Sequence, residues 1–151
     1  MSASQGRTWA EPIYLDASAL VKLFVPEPES EALNQALVGA KDVIVSDLAL
    51  TEMASALGRR TREGRLTLTE SRRLYREAEK LTTACRPAEL TPSIHRRAER
   101  LLLLSQKVPL RALDALHLAT ALDAEAVTLV TYDPRLRDAA AAHGLFAAPE
   151  V

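Results

Sequence analysis

Short runs of aliphatic and β-branched residues recur along this chain, and segments with helical spacing separate them. The clearest runs are residues 13–15, 43–45 and 127–132. Short apolar runs of this kind are typical of strands that are buried on both faces. Strands that alternate with helices form βαβ units, which build a parallel sheet covered by helices on both sides. The sequence therefore predicts a single α/β domain with three layers, α/β/α, around a central parallel sheet.

Spacing and end signals set the expected bounds of each element. Strands are predicted at residues 13–16, 42–46, 88–91, 127–132 and 145–147. Helices are predicted at residues 17–24, 29–40, 47–64, 67–85, 92–106, 110–124 and 134–143. Thr67 followed by Glu70 is a capping box that opens one helix, and Gly144 ends the last one.

Composition limits the class of protein. Hydrophobic residues make up 48% of the 151 residues, which is enough to bury one core. No apolar run approaches the ~18 residues that span a bilayer, so no membrane association is expected. The single cysteine, Cys85, excludes an internal disulfide and favours a reducing, cytoplasmic location. Residues 1–12 lack periodicity and are predicted to be a flexible tail, whereas residues 13–151 are predicted to form the domain.

Four acidic residues occupy positions where a charge is unfavourable for folding alone. Asp16 and Asp133 each end a predicted strand, and Glu52 and Asp114 interrupt apolar stretches of predicted helices. Ligands of open parallel sheets bind beyond the carboxyl ends of the strands, so Asp16 and Asp133 are expected to share that edge. Glu52 lies early in the helix after the second strand, and Asp114 lies early in its own helix. All four are therefore expected to converge on one pocket.

Carboxylates crowded into one pocket raise one another's pKa and destabilise the fold unless a cation offsets them. Divalent ions such as Mg²⁺ prefer carboxylate oxygens and water as ligands. The four acids therefore predict a metal-dependent enzyme.

Three of the acids also have purely structural explanations. Asp16 is a candidate N-cap of the helix that starts at residue 17, and Asp133 of the helix that starts with Pro134. Asp114 can pair with Arg111 at helical spacing. Glu52 has apolar neighbours and lacks such an explanation. Each explanation can hold singly, but together they do not account for four acids at positions that face one site.

Basic residues are concentrated after Glu52. Residues 59–80 contain eight Lys or Arg and four Glu, although the net charge of the chain is -1. A solvated helix face with Glu–Arg pairs is the simpler interpretation, and a rim that faces phosphate is the alternative. Arg111 and His117 are candidates for phosphate contact or for the pocket edge. Neutralisation of Asp114 by Arg111, and a buried, hydrogen-bonded role for His117, are the alternatives.

The segments that carry the acids resemble the PIN-domain family, and within it the VapC-type ribonuclease toxins of VapBC toxin–antitoxin modules. They are Asp16-Ala-Ser-Ala-Leu-Val-Lys-Leu-Phe, Leu-Ala-Leu-Thr-Glu-Met-Ala-Ser-Ala-Leu around Glu52, Asp114-Ala-Leu-His-Leu-Ala-Thr-Ala and Leu-Val-Thr-Tyr-Asp133. The resemblance covers residues 13–151, and its most specific parts surround Asp16 and Asp114. The extension before Ile13 departs from the family pattern, in which the first strand begins almost at the initiator methionine.

The resemblance implies a Mg²⁺- or Mn²⁺-dependent endoribonuclease, usually a homodimer, that a VapB-type antitoxin partner holds inactive. It implies that the four acids bind metal and catalyse cleavage of RNA phosphodiester bonds by a metal-activated water. Ser18 and Thr131 match hydroxyl-bearing positions that help to hold this site.

Two other functions fit parts of the pattern. An aspartate-based phosphatase also has an Asp at the end of its first strand. That enzyme needs a second acid two residues later, where this chain has Ser18, and a late Lys, whereas none follows Lys107. A PIN-like module that only binds proteins is expected to have lost some of the acids, and all four are present.

Overall fold

The computed structural model describes residues 8–104 and 108–150. Its strands are β1 (Ile13–Leu15), β2 (Val43–Ser46), β3 (Arg86–Ala88), β4 (Thr128–Val130) and β5 (Phe146–Ala148). Its helices are α1 (Ala17–Phe24), α2 (Ser30–Leu37), α3 (Asp47–Arg62), α4 (Leu68–Ala84), α5 (Pro92–Leu104), α6 (Ala112–Asp123) and α7 (Pro134–Ala142). None of these described helices is long and apolar enough to cross a membrane.

The five strands form one parallel sheet in the order β3-β2-β1-β4-β5. Strand β1 lies at the centre, where Tyr14 is in register with Ile44 on one side and Leu129 on the other. Successive side chains of a strand point to opposite faces, so each buried strand contributes to two cores. The predicted central parallel sheet is confirmed.

Helices cover both faces of the sheet. On one face, Leu15 and Val45 share a buried cluster with Leu20 of α1, Met53 of α3 and Leu74 of α4. The opposite face has its own cluster, which contains Tyr14 of β1, Ile44 of β2, Leu118 of α6 and Leu136 of α7. Helix α5 packs on the outer side of α6 through Ile94 and Ala98. The α/β/α layering predicted from the sequence is therefore confirmed.

Several predicted bounds are wrong by a few residues. The strand predicted at 88–91 lies at Arg86–Ala88. It includes Pro87, which a sheet tolerates here because β3 is an edge strand. The helix predicted from 110 begins at Ala112, since the Asp114 side chain binds the Arg111 backbone N–H. Strand β4 is shorter than the predicted 127–132. Residue 106, where α5 was predicted to end, is outside the described residues.

The segment before β1 only partly fits the prediction of a flexible tail. Residues 1–7 are outside the described residues. Trp9 packs against the core, and the Ala10 carbonyl accepts a hydrogen bond from Thr128 Oγ1 at 2.7 Å. The Pro12 carbonyl accepts one from the Val127 N–H at 2.9 Å. For residues 8–12 the prediction is therefore wrong, because these hydrogen bonds tie the segment to the start of β4.

Candidate active site

The carboxyl ends of β1 and β4 meet at one edge of the sheet, and an acid follows each strand. Thr131, fully buried, joins the two acids directly. Its Oγ1 donates to Asp16 Oδ2 at 2.5 Å and accepts from the Asp133 backbone N–H at 3.0 Å. The structure thus brings Asp16, Thr131 and Asp133 together, as the strand-end rule predicts.

Asp16 is buried, with 4% of its surface exposed, and is fully hydrogen-bonded. Its Oδ1 accepts from Ser18 Oγ at 2.7 Å and from the Ala19 N–H at 2.9 Å, so it caps α1 as well. Burial raises the pKa of this carboxyl, while the nearby His117 and the hydroxyls of Thr131 and Ser18 oppose the rise. Its partners are hydroxyls and a backbone amide, which orient the carboxylate and leave its charge uncompensated.

Asp114 occupies the first turn of α6 and is also buried. Its Oδ2 accepts from the Arg111 backbone N–H at 3.1 Å. Burial raises the pKa of Asp114, and the negative charge of Asp133 raises it further. The two acids are therefore electrostatic neighbours across the site. Arg111, exposed at the start of α6, contacts Asp114 through its backbone, and no ion pair between their side chains occurs in the described structure.

Glu52 reaches the site from the second turn of α3. Its Oε1 lies 2.5 Å from His117 Nε2, and the other ring nitrogen of His117 lies 2.6 Å from the Tyr14 hydroxyl. His117 is only 3% exposed. The structure therefore places His117 in the buried, hydrogen-bonded role and not at an open pocket edge.

Three of the four acids have a carboxylate oxygen that accepts no hydrogen bond from a described residue, whereas both oxygens of Asp16 accept at least one. In the described part of the chain, no hydrogen bond engages Glu52 Oε2, Asp114 Oδ1 or Asp133 Oδ2, while Asp133 Oδ1 caps α7. No Lys or Arg among these residues forms an ion pair with any of the four acids. A buried carboxylate that no Lys or Arg neutralises is unfavourable unless a positively charged ligand binds it.

The donor set suits a hard divalent ion in its chemistry. All available donors are carboxylate or hydroxyl oxygens, which Mg²⁺ prefers, and Mg²⁺ usually keeps several water ligands. Across residues 8–104 and 108–150, no group of three or more His, Cys, Asp or Glu side chains is arranged to hold a metal ion as it stands. The described acids supply oxygen donors of this type without forming an assembled metal site.

A groove of about 380 Å³ opens beside the acids. Its lining includes Ser18, Lys22, Glu27, Glu52, Arg59, Arg60 and Tyr132. Glu27 pairs with Lys22 Nζ at 2.5 Å and with Arg60 Nη2 at 2.8 Å, so these cations are neutralised. Arg59 is exposed and makes no ion pair with any described residue. Sequence reasoning gave Arg59 no individual role, because one arginine does not stand out in a basic helix.

Tyr14 is the other residue that sequence reasoning missed. It is fully buried and its ring meets that of His117 edge-on, with 5.8 Å between the ring centroids. One signal was available: a phenol in a short aliphatic strand, two residues before Asp16, needs a buried hydrogen-bond partner.

Comparison with known proteins agrees with this architecture. The PIN domain family profile matches residues 13–142. Ribonuclease VapC45 of Mycobacterium tuberculosis (strain CDC 1551 / Oshkosh) is 34% identical over 139 residues, covering 91% of this chain and 94% of that protein. The crystal structure of Mycobacterium tuberculosis VapC20, a Sarcin-Ricin loop cleaving toxin, superimposes with a TM-score of 0.69 at 18% identity, over 84% of this chain and 94% of that chain.

A second solved structure has the same fold in a complex. The VapBC2 structure from Rickettsia felis, bound to a DNA fragment from its promoter, matches with a TM-score of 0.65 at 15% identity, over 92% of this chain and 98% of that chain. Two features together define the class of protein. One is the α/β/α domain with a parallel sheet of strand order 3-2-1-4-5, and the other is the acids at the carboxyl edge of that sheet. This chain belongs to the PIN domain family, and its curated relatives are VapC ribonucleases, which confirms the resemblance seen in the sequence.

Proposed function

We propose that this chain is a metal-dependent endoribonuclease toxin of a VapBC-type toxin–antitoxin module. One observation carries the proposal: Asp16, Glu52, Asp114 and Asp133 come from four separate segments near the carboxyl ends of the strands, and no Lys or Arg among the described residues forms an ion pair with any of them. The ribonuclease relatives cover about nine-tenths of the chain, which supports RNA as the substrate.

The four acids would hold Mg²⁺, or Mn²⁺ as a substitute, largely through water. A bound ion would supply a water of lowered pKa and would stabilise charge on the phosphate oxygens. Asp16 and Asp133 are the first choice for direct ligands, and Glu52 or Asp114 would orient the attacking water or take its proton. Ser18 and Thr131 would keep Asp16 in place through the hydrogen bonds described above.

Arg59 would contact a phosphate of the RNA next to the scissile bond. It lines the groove that also contains Glu52, and it is the lining cation that Glu27 does not neutralise. Arginine binds phosphate oxygens in a planar, bidentate geometry. A contact of this kind positions the backbone and reads no bases, so substrate choice would depend on the shape of the surface.

A VapB-type antitoxin would bind this chain and a second copy would complete a homodimer. The VapBC2 complex from Rickettsia felis, which has the same fold, supports a protein partner. A groove between α3 and α4, lined by Leu57, Leu68 and Tyr75 and edged by Arg72 and Arg76, suits the apolar face of an acidic partner helix. The single cysteine and an RNA substrate suit a cytoplasmic location.

The test compares Asp16→Asn with Asp138→Asn, which changes an exposed acid on α7. Purified proteins are incubated with RNA in Mg²⁺, in Mn²⁺ and in EDTA, and cleavage is followed on gels. Removing one electrostatic stabiliser typically costs about 10²–10³-fold in rate, so Asp16→Asn is expected to lose at least that much. Asp138→Asn is expected to cleave like the wild type.

Circular dichroism melting establishes that Asp16→Asn is folded. Cleavage by Asp16→Asn at the wild-type rate, or wild-type cleavage that persists in EDTA, contradicts the proposal.

A further inference from the structure

A buried line of hydrogen bonds runs from the centre of the sheet to Glu52. The Tyr14 hydroxyl lies 2.6 Å from His117 Nδ1, and His117 Nε2 lies 2.5 Å from Glu52 Oε1. The line joins β1, α6 and α3, which are far apart in the sequence. Tyr14 is fully buried and His117 is 3% exposed, so neither group can exchange its partner for water.

Chemistry sets the direction of these bonds. A tyrosine phenol keeps its hydrogen at neutral pH, so the Tyr14 O–H is available as a donor. A carboxylate only accepts, so Glu52 Oε1 pairs with a hydrogen on His117 Nε2, and in a neutral imidazole Nδ1 is then the acceptor. This assigns the Tyr14 O–H as the donor to His117 Nδ1.

Glu52 needs such support more than the aspartates do. A glutamate has one more rotatable bond than an aspartate, and the Glu52 side chain is 27% exposed at the groove. The capping bonds of Asp16, Asp114 and Asp133 come from the backbone of their own helices, whereas the only hydrogen bond of Glu52 among the described residues comes from His117. Without it, the carboxylate would turn to solvent.

We propose that Tyr14 and His117 are positioning residues that hold Glu52 Oε1 from the core side and so leave Oε2 for the ligand of the site. The inference rests on the proposed function, since Glu52 acts in that site. Outer partners that orient a metal-binding side chain typically change metal affinity or activity by about 10–100-fold when removed. Tyr14 and His117 are buried and their line of hydrogen bonds ends at Glu52, so their effect on the site is expected to pass through Glu52.

The experiment is a double-mutant cycle between Tyr14→Phe and Glu52→Gln. Tyr14→Phe removes the hydroxyl and keeps the ring that packs in the core, and Thr69→Val, which removes a hydroxyl from an exposed position on α4, is the control. Steady-state RNA cleavage yields kcat and KM, and electron paramagnetic resonance of free Mn²⁺ yields metal affinity. The cycle separates an effect that passes through Glu52 from a general loss of packing.

Tyr14→Phe is expected to lower kcat and Mn²⁺ affinity by about tenfold in the wild type, with KM for RNA unchanged. In the Glu52→Gln background the same substitution is expected to change either quantity by less than about twofold, because the group it orients is already altered. Equal losses in both backgrounds, or no loss in the wild type, overturn the inference.

A third measurement tests the geometry without any activity. Long-range ¹⁵N–¹H NMR of the metal-free protein is expected to show the His117 hydrogen on Nε2, with an Nδ1 signal that shifts in Tyr14→Phe and not in Thr69→Val. A hydrogen on Nδ1, or no shift in Tyr14→Phe, overturns the inference. Failure of the proposed function gives a different result from failure of this inference. If the proposed function is wrong, the wild type cleaves no RNA, and the NMR measurement still decides whether Tyr14 and His117 position Glu52.

Discussion

Two groups of charged side chains both contribute residues to one groove, and they differ in how their carboxylates are paired. The acid cluster consists of Asp16, Glu52, Asp114 and Asp133, and the ion-pair cluster consists of Lys22, Glu27 and Arg60. In the ion-pair cluster one carboxylate meets two cations, at 2.5 and 2.8 Å. In the acid cluster the carboxylates meet hydroxyls, backbone amides and an imidazole.

The pKa of Glu27 is shifted in the opposite direction to the pKa values of Asp16 and Asp114. The hydrogen bond from Lys22 lowers the pKa of Glu27. Burial raises the pKa of Asp16 and of Asp114. The ionised form of Glu27 therefore stabilises the fold, whereas the ionised forms of Asp16 and Asp114 lower its stability. Charge that the protein orients without neutralising it is a mark of a binding site.

The largest effect on stability is expected from loss of the Thr131 hydrogen bonds, which hold Asp16 and Asp133 in the acid cluster. Thr131→Val keeps the shape of a fully buried residue but leaves Asp16 Oδ2 and the Asp133 N–H without their shared partner. Loss of a buried partner costs about 1–3 kcal/mol, so the free energy of unfolding in urea should fall by that amount. Thr51→Val, at an exposed position on α3, is the control. Equal stability of both variants would show that the Thr131 bonds contribute nothing.

A smaller loss is expected from the ion-pair cluster. Glu27→Gln leaves Arg60 without a carboxylate and Lys22 with only the half-exposed Glu29, and should lower the free energy of unfolding by about 1 kcal/mol at neutral pH. Because the folded pKa of Glu27 is lowered, its contribution is present above the ordinary value of 4.5 and is lost as the pH falls through the folded pKa. The difference from wild type should therefore shrink in acid.

Glu29→Gln is the matched control for that measurement. Glu29 also contacts Lys22, at 3.1 Å, but its side chain is half exposed. Chemical denaturation between neutral and acidic pH compares the two variants. The prediction fails if the loss of unfolding free energy in Glu27→Gln does not depend on pH. It also fails if Glu29→Gln loses as much.

The smallest effect has the opposite sign. Asp114→Asn keeps an acceptor for the Arg111 N–H and removes a charge whose pKa is raised by burial and by Asp133. A raised folded pKa means that stability falls as pH rises from the ordinary value of 3.8 through the folded pKa, and the cost persists at neutral pH. Without divalent ions, the variant should therefore melt at a slightly higher temperature than wild type at pH 7.

Added Mg²⁺ sharpens the same comparison. Wild type should gain melting temperature from Mg²⁺ because the ion binds the folded state, and Asp114→Asn should gain less. Differential scanning calorimetry with and without Mg²⁺ checks both statements. A variant that is less stable than wild type at pH 7 without Mg²⁺ would show that the Asp114 charge stabilises the fold.

Local sequence patterns predicted the framework of the site. Alternating apolar runs and helical spacing predicted the parallel sheet, and acids at strand ends placed Asp16 and Asp133 at one edge. The capping roles of Asp16 and Asp133 were also predicted, and both side chains cap helices in the structure. Such signals are readable because backbone conformation and strand ends depend mainly on neighbouring residues.

Tertiary structure alone decided which partners the site residues have. Nothing near Glu52 in the sequence indicates that His117 is its hydrogen-bond partner. Nothing near Lys22 indicates that Glu27 also forms an ion pair with Arg60. The edge strand at Arg86–Ala88 was likewise misplaced, because its pairing depends on β2, some 40 residues away. The chain by itself determined the fold class and the set of acids. Packing between distant segments determined which carboxylates are neutralised and which are left for a ligand, because burial and long-range contacts exist only in the folded state.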